Sequence, residues 1–358
     1  MHFTLTTKSI KQDCLSETYI EGNDLDEKGF RKFIKEGKRV PKGLSEATIK
    51  SHVRLVKEFE GLLKKKSPKK GFNDATDRDV KAFVKHLAKD ERNTFDVLIG
   101  LLRYSRFSGN REAELSLLIL LDGGNVLNKM CDNVKEKYGK RKYEELLGDY
   151  TPPRIGTPPK KMPKATTDFL NRIESGLGQE ATRGILLKSP HAGPPEYYAD
   201  ERKMLKASKN IDEYLRKRRE KFIEELRGHM KNGTLFYNQP IDQAVLDFVE
   251  GNPEIAGGIR KGNKIFCTKV PYMAIEYLKE NDRRMRRYNY CHCPLARESI
   301  LTDKEMSHNL CYCSAGYEKA PFDVAFGKPV KIEVLKSVLW GDLVCRFVLE
   351  IPEEYRAD

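Results

Sequence analysis

The chain has no hydrophobic run long enough to cross a bilayer. A spanning helix needs about 18–20 largely apolar residues, and the longest apolar run here, Leu115 to Leu121, is short and interrupted by Ser116. The opening residues, Met1-His2-Phe3-Thr4, supply neither the basic region nor the apolar stretch of a secretory signal. Both absences lead to the expectation of a cytoplasmic protein with no membrane partner. In that reducing compartment, clustered cysteines serve as metal ligands more readily than as disulfides. A single basic tail is missing too. The net charge of +13 is spread over both halves of the chain, so the electrostatic pull on nucleic acid or anionic metabolites is diffuse. Hydrophobic residues make up 39% and charged ones 33% of 358 residues, which suits two solvated domains that each bury a core.

What the sequence does have is a concentration of cysteine. Half of the eight cysteines fall between Cys291 and Cys313, as Cys291-His292-Cys293-Pro294 and Cys311-Tyr312-Cys313. Thiolates are soft donors, and four of them at about 2.3 Å complete a tetrahedral zinc shell. Cys-x-Cys acts as a chelate if the backbone is extended, because alternate side chains of a strand share a face. Cys291, Cys293, Cys311 and Cys313 are therefore the expected metal ligands, with His292 and His308 as substitutes. Pairing into two disulfides, or burial as inert thiols, are the alternatives that the spacing leaves open. Arg283-Arg284-Met285-Arg286-Arg287-Tyr288 runs into the first pair. It can bind an anion or form a solvated helix end, and its charge favours the thiolate. Arg297 and Glu298 follow the first pair. Glu298 is the candidate acid or base and Arg297 the candidate anion clamp, with a surface ion pair as the plainer reading of both.

Before the cysteines, periodicity predicts a helical bundle. Apolar residues recur at three- and four-residue steps from Asp26 to Gly37, from Ser45 to Lys66, after Thr76, from Thr94 to Ser105 and from Glu112 to Leu121. They resume through Val126, Met130 and Val134. The basic stretch Lys64 to Gly71 reads as a helix end or as a phosphate contact. Residues 149–165 hold five prolines and no period, the composition of a linker. Beyond it come helices from Thr167 to Leu187, broken near Gly176 and Gly178, and from Asn210 to His229 and Ile241 to Val249. His191 lies in a Pro- and Gly-rich loop, more a surface residue than a functional one. Gly262-Asn263 signals a hairpin. At the C-terminal end Val330, Ile332 and Val334 alternate with polar residues, and Cys345, Phe347 and Leu349 share a face of another strand. Cys345 there reads as a core residue rather than a fifth ligand.

Three resemblances accompany this pattern. Thr48-Ile49-Lys50-Ser51-His52-Val53 and Asp74-Ala75-Thr76-Asp77-Arg78-Asp79-Val80, within about residues 25–108, resemble the SAM-like core-binding domain of tyrosine recombinases. That implies DNA or partner binding. No histidine begins a His-x-x-Arg motif, so strand cleavage is not implied. Tyr290 to Ser299 with Leu310 to Tyr317 is similar to an uncharacterised prokaryotic cysteine-rich family, which would cover 166–358 and lends no activity. Ser337 to Phe347 resembles the end of 4-vinyl-reductase-like domains, implying an α+β small-molecule-binding fold, sometimes with zinc.

The expectation is thus an α+β protein. A helical module (1–148) is joined by a Pro-rich linker (149–165) to an α+β, cysteine-rich, zinc-binding domain (166–358). The second domain is expected to bind a small molecule and the first DNA or a protein, in a regulatory role. The competing class is a metal- or thiol-dependent enzyme acting on a small anionic substrate near Arg297 and Glu298.

Overall fold

The computed structural model describes residues 25–36, 44–302 and 304–356. The expected irregular lead-in over 1–23 and the helix stop at Gly37 lie outside the described residues. Five helices build the first core: α1 (Glu27–Glu36), α2 (Glu46–Lys66), α3 (Asp77–Lys89), α4 (Phe95–Ser108) and α5 (Arg111–Leu121). Their starts follow local chemistry. The Ser45 hydroxyl accepts from the Thr48 amide at 3.1 Å. Thr76 and Asp79 form a reciprocal capping box. Asn110 caps α5 while its amide donates to the Phe72 and Ala75 carbonyls. The apolar stripes meet in an aromatic cluster, with the Phe59 ring stacked on Phe83 at 4.7 Å and edge-on to Phe72 at 5.4 Å. The basic stretch after α2 is partly neutralised, because Lys70 and Lys66 both reach the carboxylate of Asp79.

A second set follows: α6 (Val126–Leu147), α7 (Met162–Leu177), α8 (Gln179–Leu187), α9 (Ala199–Lys206), α10 (Ile211–Lys231) and α11 (Gln243–Glu250). Then come β1 (Ile259–Lys261), β2 (Lys264–Thr268), α12 (Ala274–Lys279), α13 (Arg283–Tyr290), α14 (Cys311–Phe326), β3 (Ile332–Lys336) and β4 (Arg346–Glu350). The hairpin at Gly262-Asn263 forms as its sequence predicts. The four strands make one antiparallel sheet in the order β1-β2-β4-β3. One face carries Ile265, Cys267, Ile332, Val334, Phe347 and Leu349 into a core shared with Phe322 and Phe326 of α14 and Phe169 and Leu170 of α7. The α+β class expected of the C-terminal part is what the fold displays, after a mainly helical N-terminal part.

Two boundaries differ from expectation. The apolar stripe of α6, Val126, Leu127, Met130 and Val134, packs into the second core, so the changeover between cores falls at the Asp122-Gly123-Gly124 turn. The proline-rich stretch does not work as a free linker. Met162–Ala165 belong to the first turn of α7, Ile155 is buried in the first core, and its carbonyl accepts from the Asn93 amide at 2.5 Å. The Tyr150 ring lies against Phe169 in the second core. Proline fixes an extended path, and the residues between the prolines supply the anchors. Farther on, α8 and α14 cross closely. A Cβ on Gly316 would stand 2.2 Å from the Leu187 carbonyl oxygen, so glycine is required there.

His52 of α2 is 3% exposed and its Nδ1 has no partner. Burial, assisted by the charge of Arg103, lowers its pKa to about 4. The unfolded chain therefore binds more protons between pH 6.5 and 4, and the neutral ring contributes stability above about pH 6.5 that is lost as pH falls toward 4. His52→Leu should remove about 1–3 kcal/mol of that acid sensitivity. Urea midpoints at pH 7.5 and 4.5 test this; equal pH dependence in the two proteins would refute it.

Candidate functional site

The site lies at one end of the sheet, just past the last paired residues. Thr268 pairs with Arg346 and Lys336 pairs with Arg346. One step farther along the strands, Lys269, Cys345 and Ser337 come next in a row across β2, β4 and β3. Segment 269–273 leads away from the sheet alongside the end of α13. The Tyr290 hydroxyl donates to the Lys269 carbonyl at 2.7 Å, and the Met273 amide to the Asn289 carbonyl at 2.8 Å. This carries Cys291 and Cys293, which follow α13, over the sheet end. Cys311 and Cys313 arrive on the first turn of α14.

Five thiols thereby converge. Cys291 is buried in a small cluster with Tyr277, Tyr290, Ile300 and Val338, against which Cys293 and Cys345 pack. The Cys311 sulfur is 3.0 Å from the Ser337 hydroxyl, and Cys313 is 3.6 Å from that of Ser189. Burial raises every one of these thiols. Cys293 and Cys311 rise well above the ordinary range, with neighbouring sulfurs adding to the effect. Burial and Cys291 push Cys345 up to about 12, while Cys313 reaches about 11 against the pull of Ser189 and Lys269. Cys291 is raised by burial and drawn down by the Cys293 amide and by Arg297, Lys269 and Arg287. Without a cation, a second and third negative charge in this space are disfavoured, so the thiols hold their protons.

The central cation is Lys269, whose side chain is only 10% exposed. Its ammonium donates to the Ser314 hydroxyl at 2.9 Å, stands 3.5 Å from the Glu318 carboxylate and lies over the Tyr317 ring at 5.0 Å. The Tyr317 hydroxyl in turn bonds that of Tyr237. His292 presents Nε2 to the Val270 carbonyl at 2.6 Å. A carbonyl only accepts, so Nε2 carries the proton and Nδ1 is left as the basic nitrogen. Burial and Lys269 hold the ring neutral, with its pKa lowered to about 3. His308, by contrast, is exposed and stacked on Trp340 at 5.1 Å.

The expected extended strand forms at neither pair. Cys291-His292-Cys293 is irregular backbone, extended at Cys291. Cys311 and Cys313 are in a helix, where residues two apart point roughly 200° apart. Among the described residues, no three His, Cys, Asp or Glu side chains are placed to grip an ion. The structure also reads the charged residues differently. The Arg297 guanidinium covers the Tyr272 and Tyr288 rings at 4.6 and 5.2 Å, and Tyr288 donates to Glu298 at 2.8 Å. Asp122, whose pKa burial raises to about 6 against the charge of Arg297, comes from the turn after α5. Arg287 and Arg283 donate to the Val338 and Gly341 carbonyls at 2.7 and 2.9 Å, so these arginines hold the turn after Ser337. His191 is a loop residue exposed in part, and burial of its ring with the charges of Lys269 and Lys129 lowers its pKa to about 4.

On the outer side of the start of α14, a groove of about 890 Å³ is lined by Arg183, Gln179, Lys137, Tyr312 and Glu333. Arg183 lies over the Tyr312 ring at 4.9 Å and donates to Asn309. Lys269 and Ser337 were not legible as site residues. The alternation of Cys345 with Phe347, together with the hairpin register, was the available signal.

A model of a family of unknown function (DUF6144) matches residues 266–355, about a quarter of the chain. The match begins in β2 and ends after β4, so it spans Lys269, both Cys-x-Cys pairs, Ser337 and Cys345. No curated protein and no solved structure matches.

The Asp122-Gly123-Gly124 turn buttresses the first cysteine pair. Gly123 has φ +74°, and a Cβ there would stand 2.4 Å from Cγ of Pro294. Gly123→Ala should cost roughly 1–3 kcal/mol and speed alkylation of Cys291 and Cys293 in the native protein. Urea unfolding and mass-spectrometric mapping of labelled thiols measure both; unchanged labelling would mean that the turn does not hold the loop.

Proposed function

We propose that the C-terminal part of this protein binds a thiophilic metal ion, zinc in the first instance, in the pocket of converging thiols. The observation that carries this reading is the gathering of five cysteines from three chain segments at one end of the sheet, without a disulfide between them. Soft sulfur donors select zinc over hard cations. A cation would also relieve the crowding that keeps the thiols protonated, with metal binding displacing their protons. The Cys293 amide directed at the Cys291 sulfur and the neutral, carbonyl-oriented imidazole of His292 both suit a site of this kind. The protein purified without chelator should carry about one zinc per chain, with roughly four thiols becoming reactive only on its removal. No metal together with freely reactive thiols would defeat the proposal.

The small-molecule ligand expected of this half would fit the groove beside Tyr312, where Arg183 offers an anion partner. A regulatory protein that senses the ligand or the metal is the function we favour. The N-terminal helical module would then contact DNA or a protein. A specific observation keeps the enzyme reading as the alternative: a buried ammonium, Lys269, stands among thiols, an arrangement that can hold a small anion beside a nucleophile. Arg297 and Glu298 are less suited to that chemistry, since each is occupied by Tyr288. For the DNA-binding version, the full chain should bind duplex DNA with an affinity that falls steeply as salt rises from 50 to 200 mM. Binding that is absent at the lowest salt would leave a protein partner as the role of the module.

A further inference from the structure

We infer that the fourth sulfur of the metal site is Cys345 and that Cys313 stands outside it, an inference that rests on the metal-binding reading above. Three observations bring Cys345 in. The strand register places it one step beyond Arg346, across from Ser337 and Lys269, and alternation puts it on the same face as Phe347, toward α14. It packs against the same small cluster as Cys293, the cluster that buries Cys291. The hydroxyl of Ser337, 1% exposed and next to Cys345 in the row set by the strand register, lies 3.0 Å from the Cys311 sulfur. That contact brings the Cys311 sulfur to the strand row that holds Cys345, 34 positions farther on in the chain.

Helix geometry moves Cys313 out. With Cys311 on the side of α14 that faces Ser337, a residue two positions on points roughly 200° away. Cys313 accordingly meets Ser189, in the loop after α8, at 3.6 Å. The ligand set becomes Cys291, Cys293, Cys311 and Cys345, four soft donors on three segments. Closing them on an ion would take a rearrangement, since among the described residues no three such side chains are already placed to grip one. Zinc in a four-thiolate shell would then tie the α13 loop, the start of α14 and the beginning of β4 together.

The test uses the full chain, stripped of metal under reducing conditions and titrated with Co²⁺ and with Zn²⁺. Trp340, the sole tryptophan, lies in the turn that follows Ser337 and gives a second, fluorescent readout. The wild-type protein should bind one Co²⁺ with the charge-transfer band of four thiolates. Cys313→Ser should keep that band and its affinity. Cys345→Ser should weaken binding at least ~100-fold and lose part of the band. If Cys345→Ser does not fold, mapping decides in the wild-type chain: chelation should raise alkylation of Cys345 and leave that of Cys313 unchanged. Retained affinity in Cys345→Ser, or alkylation of Cys313 that rises on chelation, would overturn the assignment in favour of Cys313. Failure of the wild-type chain to bind either ion would bring down the metal reading itself, and this assignment with it.

Discussion

Burying the Lys269 ammonium costs on the order of several kcal/mol unless partners replace its water. The structure around it is arranged to do so. Glu318 supplies the opposite charge, Ser314 a hydrogen bond and Tyr317 the face of a ring. All three stand on α14, so meeting the needs of one cation fixes the helix against the end of β2. Cys311 and Cys313, on the first turn of the same helix, are brought to the sheet end with it. The Lys269 carbonyl, held by the Tyr290 hydroxyl, draws in the other side, because Cys291 follows Tyr290 directly. The convergence of the thiols is in this sense a consequence of satisfying one buried charge and its peptide group.

The first half of the chain takes part through a single turn. Asp122 and Gly123 end the first core, and they also meet Arg297 and Pro294 of the cysteine loop. The proline-rich strap stitches the two cores a second time, through Ile155 on one side and Tyr150 on the other. Two such seams give the helical module a physical route to the cysteine loop.

Helix starts were legible because they are local. Ser45, Thr76, Thr94 and Asn210 each mark a start through their own side chains, and the apolar period of the following residues completes the pattern. The Gly262-Asn263 hairpin was legible for the same reason, as was the α+β class. The run Arg283 to Arg287 was legible as basic and helical, but not as the body of its own helix nor in its task. Which carbonyls its guanidiniums reach depends on where the Val338–Gly341 turn lies in space. The segregation of α6 into the second core was equally hidden, since an apolar stripe does not say which neighbour will cover it.

The cysteine site divides along the same line. The sequence by itself determined that four thiols would be close, because 23 residues hold them, and that alternation would place Cys345 with Phe347 and Leu349 on one strand face. It did not determine which sulfurs face one another. Cys-x-Cys presents its side chains together on a strand and apart on a helix, and Cys311 proved to open a helix. Only the tertiary structure brought Lys269, Ser337 and Cys345 into one row. That row is set by strand register, a relation between residues far apart in the chain, and no local pattern specifies it.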